Sequence, residues 1–217
     1  MAVDKHINFF ELQKASEKPG CPLCRIVNDR ADRYIDNMLF EHVSDRAFRA
    51  LHRAAGGFCA FHSRNLVSFR DGLAVAIMGR DILEERIISF EKRLPWRPKG
   101  TCPICLERDR IEEEYLSFLA GSGGTSDEEK ELRSVFSSSD GLCAHHYSSL
   151  LFTPKQKQRN IPHWLREFHE KKFRELQTRV NQFIELSAYG RQEEFSRLSE
   201  RDQLVWKELA LVLNANK

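Results

Sequence analysis

Cys21-Pro22-Leu23-Cys24 opens a pattern that Gly57-Phe58-Cys59-Ala60-Phe61-His62 completes. The pattern then recurs as Cys102-Pro103-Ile104-Cys105 and Gly141-Leu142-Cys143-Ala144-His145-His146. Each copy reads C-P-[LI]-C, a long gap, then G-[FL]-C-A-x-H, and the two copies use all six cysteines of the chain. The register continues beyond the motifs. Tyr34 and Tyr115 follow Cys24 and Cys105 at the same offset, as do Leu66 and Leu150 behind Cys59 and Cys143. Phe48 and Leu51 precede Cys59 as Leu132 and Val135 precede Cys143. Such a repeat marks a duplicated supersecondary unit, and two copies predict a pseudo-symmetric pair.

The segments between the motifs carry helical periodicity. Ile26, Val27, Tyr34, Met38 and Leu39 form an i, i+3/i+4 stripe among charges. Ser44 or Asp45 can cap a helix bearing Phe48, Leu51 and Ala54, which Gly56-Gly57 ends. A further helix is expected from Ala60 to Leu94, broken at Gly72 or Gly79 and stopped by Pro95-Trp96-Arg97-Pro98. In the second copy Gly121-Ser122-Gly123-Gly124 reads as a loop, with Thr125 or Ser126 as the next cap. A long amphipathic helix is expected over 162–188. A last helix follows a cap at Ser199 or Asp202 and bears Leu204, Val205, Leu209 and Val212. No segment alternates with period two. The expected fold is all-α: two pseudo-repeated, zinc-bound helical hairpins plus C-terminal amphipathic helices. The corresponding divisions are 1–95, 96–160 and 161–217, packed as one compact unit.

Structural zinc takes four cysteine and histidine ligands in a tetrahedron. Cys-x2-Cys and Cys-x2-His each bring two donors onto one turn of backbone. Both kinds of pair are expected at helix N-termini, where free amides and the helix dipole stabilise thiolates. The expected ligands are Cys21, Cys24, Cys59 and His62 for one ion and Cys102, Cys105, Cys143 and His146 for a second. This grouping takes a complete set from each repeat. A cross-braced grouping, Cys21 and Cys24 with Cys143 and His146, is the alternative. His146 is chosen over His145 because it matches His62 in register. An iron–sulfur cluster is the rival to zinc, since cysteine and occasionally histidine also hold such clusters.

These motifs resemble those of a bacterial family of functionally uncharacterised proteins, with a closing S-D-G-L-C-x-x-H that matches Ser139-Asp140-Gly141-Leu142-Cys143 and His146. The resemblance spans about residues 20 to 150 and implies no activity. The C-P-x-C segments also resemble the knuckles of zinc ribbons and rubredoxins. There a glycine follows; here Arg25 and Leu106 follow, so each chain segment can enter a helix directly.

The 217 residues carry 34 basic and 32 acidic side chains, for a net charge of +2. That balance argues against nucleic acid, which needs a clustered basic face. Residues 1–10 lack an apolar leader, and the longest aliphatic run, Leu73 to Met78, is too short to span a bilayer. A cytoplasmic protein is therefore expected, and in a reducing compartment clustered cysteines read as metal ligands. No P-loop, GxGxxG, GxSxG or HExxH is present, so no catalytic residue is assigned. Lys155, Lys157 and Arg159 read as a solvated basic loop, Glu112-Glu113-Glu114 as a solvated helix face, and His6, His42, His52, His163 and His169 as ordinary. The function expected is a structural or interaction module with two closed Cys3His sites and a protein partner. A thiol-based redox or metal sensor is the alternative. The oligomeric state is left open.

Overall fold

The computed structural model describes residues 7–122, 126–153, 155, 157–188 and 190–213. The described residues form helices joined by turns and irregular segments, with no strand; Phe152 and Gln158 form an isolated antiparallel bridge. The helices are α1 (Ile7–Ser16), α2 (Pro22–Asn37), α3 (Arg46–Ala54), α4 (Ala60–Leu66), α5 (Gly72–Glu91) and α6 (Pro103–Gly121). Then come α7 (Ser126–Ser137), α8 (Ala144–Leu151), α9 (His163–Leu186), α10 (Gln192–Ser196), α11 (Glu200–Gln203) and α12 (Val205–Leu213). The all-α class expected from the periodicity is what the chain adopts. No helix among the described residues is long and apolar enough to cross a membrane.

The chain forms two compact units. One comprises Met1–Ile26 with Glu113–Lys217, the other Val27–Glu112. The units do not coincide with the sequence repeats, because their boundaries fall inside α2 and α6.

The 27–112 unit is built on Ile35, Met38, Leu39, Phe48, Leu66, Ala74, Met78 and Ile104, all buried. Asp45 caps α3, accepting the amides of Ala47 and Phe48 at 2.7 and 3.3 Å. The expected stripe on this helix is only partly inward: Phe48 is buried, whereas Leu51 is 58% exposed. The chain breaks between α4 and α5 at Arg70, which adopts φ 58°, and Asp71 caps α5 by accepting the amide of Ala74. Gly79 lies inside α5 and does not interrupt it. The helix ends at Glu91, before Pro95, where Arg93 turns at φ 53°. On the inward face of α5, Asp81 accepts a bidentate pair from Arg49 of α3 at 2.6 and 2.8 Å. The Arg49 guanidinium holds the Asp81 carboxyl below its usual range.

The other unit surrounds Leu12, Leu119, Leu132, Phe136, Leu150 and Leu165, each 2% exposed or less. The helix expected over 162–188 is α9, with Trp164, Leu165, His169 and Leu176 buried. Phe136 meets Trp164, Phe168 and His169 edge-on, at centroid distances of 5.7 to 5.9 Å. Ser199 caps α11, and the expected last helix is realised in two pieces, α11 and α12, parted at Leu204. Arg159 is not a free basic group: it forms a two-pronged ion pair with Glu113 at 2.8 and 2.5 Å. The expected cap at Thr125 or Ser126, the loop glycines Gly123 and Gly124, and His6 lie outside the residues or side chains described.

Candidate metal centres

Four cysteine-containing pairs occupy the same place in four helices. Cys21 and Cys102 stand immediately before α2 and α6, with Pro22 and Pro103 as first helical residues, a position that suits proline because its missing N–H would be unpaired there anyway. Cys59 and Cys143 are the N-caps of α4 and α8, with nearly identical backbones: φ −66°, ψ 165° and φ −67°, ψ 167°. Each leading cysteine's carbonyl accepts the amide four residues on, from Arg25, Leu106, Ser63 and Tyr147 respectively. The second donor of each pair, Cys24, Cys105, His62 or His146, is the third helical residue. The x2 spacing is therefore the spacing from N-cap to N3. At that separation a side chain points back over the helix end, so both donors converge on one point.

The pairs combine in a way the repeats do not suggest. Cys21 and Cys24 gather with Cys143 and His146, and Cys59 and His62 gather with Cys102 and Cys105. The expected within-repeat grouping is thus corrected to the cross-braced one. Each compact unit holds one complete Cys3His set. The two groups are drawn from the eight residues the motifs name, divided as in the cross-braced alternative.

At the first cluster His146 Nδ1 lies 3.4, 3.3 and 3.3 Å from the sulfurs of Cys21, Cys24 and Cys143, and Cys24 lies 3.6 Å from Cys143. At the second, His62 Nδ1 lies 3.2, 3.5 and 3.4 Å from Cys59, Cys102 and Cys105, and Cys59 lies 3.7 Å from Cys105. A tetrahedron with Zn–S of about 2.3 Å and Zn–N of about 2.0 Å has S···S edges of about 3.8 Å and S···N edges of about 3.5 Å. Both clusters match those edges to within about 0.3 Å, and all six thiols are free of disulfides. Each cluster can hold a metal ion.

The electrostatics agree with that chemistry. Hydrogen bonds from Cys21 and Cys24, then the side chain and amide of His146, hold the Cys143 thiol far below its usual range despite its burial. Burial opposes ionisation of Cys59 too, but the His62 amide, Cys105, the Phe61 amide and Cys102 outweigh it and bring the thiol down. Each cluster thus already favours one thiolate at a helix N-cap. Burial and the neighbouring thiols force two others the other way: Cys21 rises, and Cys105 is pushed up to about 12. Three thiolates in this space need a cation among them. The histidines differ. Burial and the nearby Arg108 lower His62, whereas at His146 the Cys143 and Cys24 sulfurs override burial and raise it to about 9.

Three supporting groups escaped the sequence reading. His169 is 1% exposed; its Nε2 accepts the Leu142 amide at 2.9 Å, and its Nδ1–H faces the Leu165 carbonyl at 2.8 Å. It stacks on Tyr147 at 4.7 Å and so fixes the backbone immediately before Cys143. Burial lowers its pKa to about 4, which keeps it the neutral acceptor this bond requires. Asp140 accepts the Gly20 amide at 2.7 Å and ties the approach to Cys21 to the approach to Cys143. His52 buttresses the second centre by packing on Phe58 at 4.4 Å. Only Asp140 had a sequence signal, its place in the S-D-G-L-C stretch. His145, which the register sets aside as a ligand, lies edge-on to His146 at 5.1 Å and is outside the Cys3His cluster.

Comparison with known proteins agrees with the resemblance carried by the motifs. The chain is 29% identical over 136 residues to the uncharacterised 23.9 kDa protein in the xynA 3' region of Caldicellulosiruptor sp. (strain Rt8B.4). That alignment covers 60% of this chain and 65% of the relative, so the chain spans about two-thirds of the length of the curated protein it matches. No solved structure matches. Residues 5–100, which include the first repeat and stop short of Cys102, match the model of a family of unknown function, DUF6062.

Proposed function

We propose that this is a zinc protein whose two closed Cys3His centres hold together a helical interaction module. The carrying observation is the convergence of four N-cap/N3 pairs into two sets with the edge lengths of a zinc tetrahedron. All four positions of each set are protein side chains, so neither centre offers the open coordination position that catalysis requires. The metal's role is then architectural: it joins two helix N-termini that otherwise carry mutually repelling thiolates. Metal analysis of untagged protein tests the reading. About two zinc ions per chain are expected; a metal-free folded protein would sink it. A brown protein absorbing near 400 nm would replace zinc with an iron–sulfur cluster.

A redox role draws on one observation. Cys21 and Cys143 line an open cavity of about 470 Å³, together with Leu204, Lys207 and Leu211. An oxidant entering there meets the sulfurs of the first centre, and thiolate oxidation releases zinc. Peroxide titration with a zinc-sensitive dye tests this: release of one equivalent before the other supports the sensor, and no release at modest peroxide removes it.

A further inference from the structure

Helix α5 turns one face inward, burying Ala74, Met78 and Asp81. Its opposite face is apolar and exposed. Leu73 is 73% exposed, Leu83 59%, Ile87 46% and Phe90 64%. With Ala76 and Arg80, also exposed, these residues fall at intervals of three and four along the helix. That is a heptad seam, with Leu73, Arg80 and Ile87 at a and Ala76, Leu83 and Phe90 at d. A globular helix needs one apolar face; this one has two, and the second has the spacing that meshes with another helix.

We propose that this seam is the contact face of a homodimer, in which α5 packs parallel and in register against α5 of a second copy. The flanking charges select that occupant and that direction. Position g carries Gly79 and Arg86, and position e carries Ile77, Glu84 and Glu91. In a parallel pair a g residue faces the e residue of the next heptad on the other helix, so Arg86, whose guanidinium lies over the Trp96 ring at 4.9 Å, faces Glu91 of the partner subunit, twice by symmetry. An antiparallel pair would set acidic flank against acidic flank. Leu83 at d beside the β-branched Ile87 at a favours two strands. Arg80 is the single charged residue at a; its head lies 3.7 Å from Glu84, which lets its stem lie in the seam. One polar residue at a fixes register at some cost in stability. The proposal is independent of the metal centres, since no ligand lies on α5.

Sedimentation of the metal-replete full chain over a wide concentration range is the test. The expected species is a dimer of twice the 25.3 kDa chain mass. Leu83→Glu with Ile87→Glu should give a monomer with unchanged helix and metal content. Should that variant misfold, Phe90→Glu in the exposed last turn reads the same face. Arg86→Glu and Glu91→Arg should each weaken association about tenfold, and the double exchange should restore it. A monomeric wild type, a dimer that survives the seam variants, or a double exchange that restores nothing overturns the proposal.

Discussion

The two centres use the same four-residue pairs and hang them from different supports. At the second, the approach to Cys102 is pinned by backbone alone: the amides of Lys99 and Gly100 both donate to the Ala54 carbonyl at 2.9 Å. At the first, the Gly20 amide ahead of Cys21 is held by a side chain, the Asp140 carboxylate. The glycine before each Cys-x2-His pair has positive φ, 96° at Gly57 and 78° at Gly141. Behind Gly57 stands His52, from the helix just upstream; behind Gly141 stands His169, from α9. The helix N-terminus with its two donors is the invariant part, because sulfur geometry and amide donation depend on it. The buttress is interchangeable, because any buried group that fixes the preceding turn serves.

The largest expected effect separates the centres outright. Cys24→Ser should reduce the metal content from two to one and expose amides of residues 113–217 to hydrogen exchange. Cys105→Ser should do the same for residues 27–112. Structural zinc contributes on the order of 10 kcal/mol in small domains, so each loss should unfold its own unit. Exposure of the opposite unit would restore the within-repeat grouping.

The next effect tests His169. His169→Ala leaves the buried Leu142 amide unpaired and opens a cavity, and should cost about 3 kcal/mol in denaturant melts. Its pH dependence has a definite sign. The folded pKa of about 4 lies below the ordinary value near 6.5. The stabilisation from the neutral ring is therefore complete above about pH 6.5 and is lost as pH falls toward 4. His169→Gln should flatten that part of the wild-type curve, and the difference between the two curves isolates it from metal release.

Smaller effects should also distinguish the turns. A Cβ at Gly141 would lie 3.0 Å from Phe168 and 3.4 Å from His169, whereas at Gly57 the nearest atom is 3.6 Å away. Gly141→Ala should cost about 2 kcal/mol and Gly57→Ala about 1 kcal/mol, the second from backbone strain alone. Asp140→Ala should cost about 1 kcal/mol through the Gly20 amide, with no side-chain equivalent at the other centre. Thermal melts of the three variants would rank them, and equal costs at Gly57 and Gly141 would contradict the close packing.

The donors were legible because N-cap and N3 positions are local, and Cys-x2-Cys and Cys-x2-His declare them without tertiary information. The grouping was not, because the gap lengths had to be read as distances. From Cys24 the chain leaves along the 16 residues of α2 and a π-helical turn of 5, about 30 Å at helical rise, and returns along α3, whose 9 residues cover about 13 Å. The second copy goes out about 28 Å on the 19 residues of α6 and back about 18 Å on the 12 of α7. In both copies the returning arm is the shorter, so the spacing alone does not return the second pair of donors to the first. His169 was illegible for another reason. Its bond to Leu142 joins positions 27 apart, and a lone histidine on an amphipathic helix reads as ordinary until the aromatic cage around it is seen.

The cross-bracing also sets an order of events during synthesis. The second centre spans 46 residues from Cys59 to Cys105, and it lies wholly inside the 119 residues that separate Cys24 from Cys143. Closing the longer loop costs only about 0.8 kcal/mol more in chain entropy. The delay is the larger matter. At typical elongation rates of about 10 residues per second, the Cys21–Cys24 thiols wait roughly ten seconds on the nascent chain before Cys143 exists. The inner centre can close first, like the inner of two nested brackets. The outer pair meanwhile stays exposed to stray metal and to oxidants, so a cell that makes this protein must tolerate an unpaired Cys21–Cys24 dithiol on every growing chain.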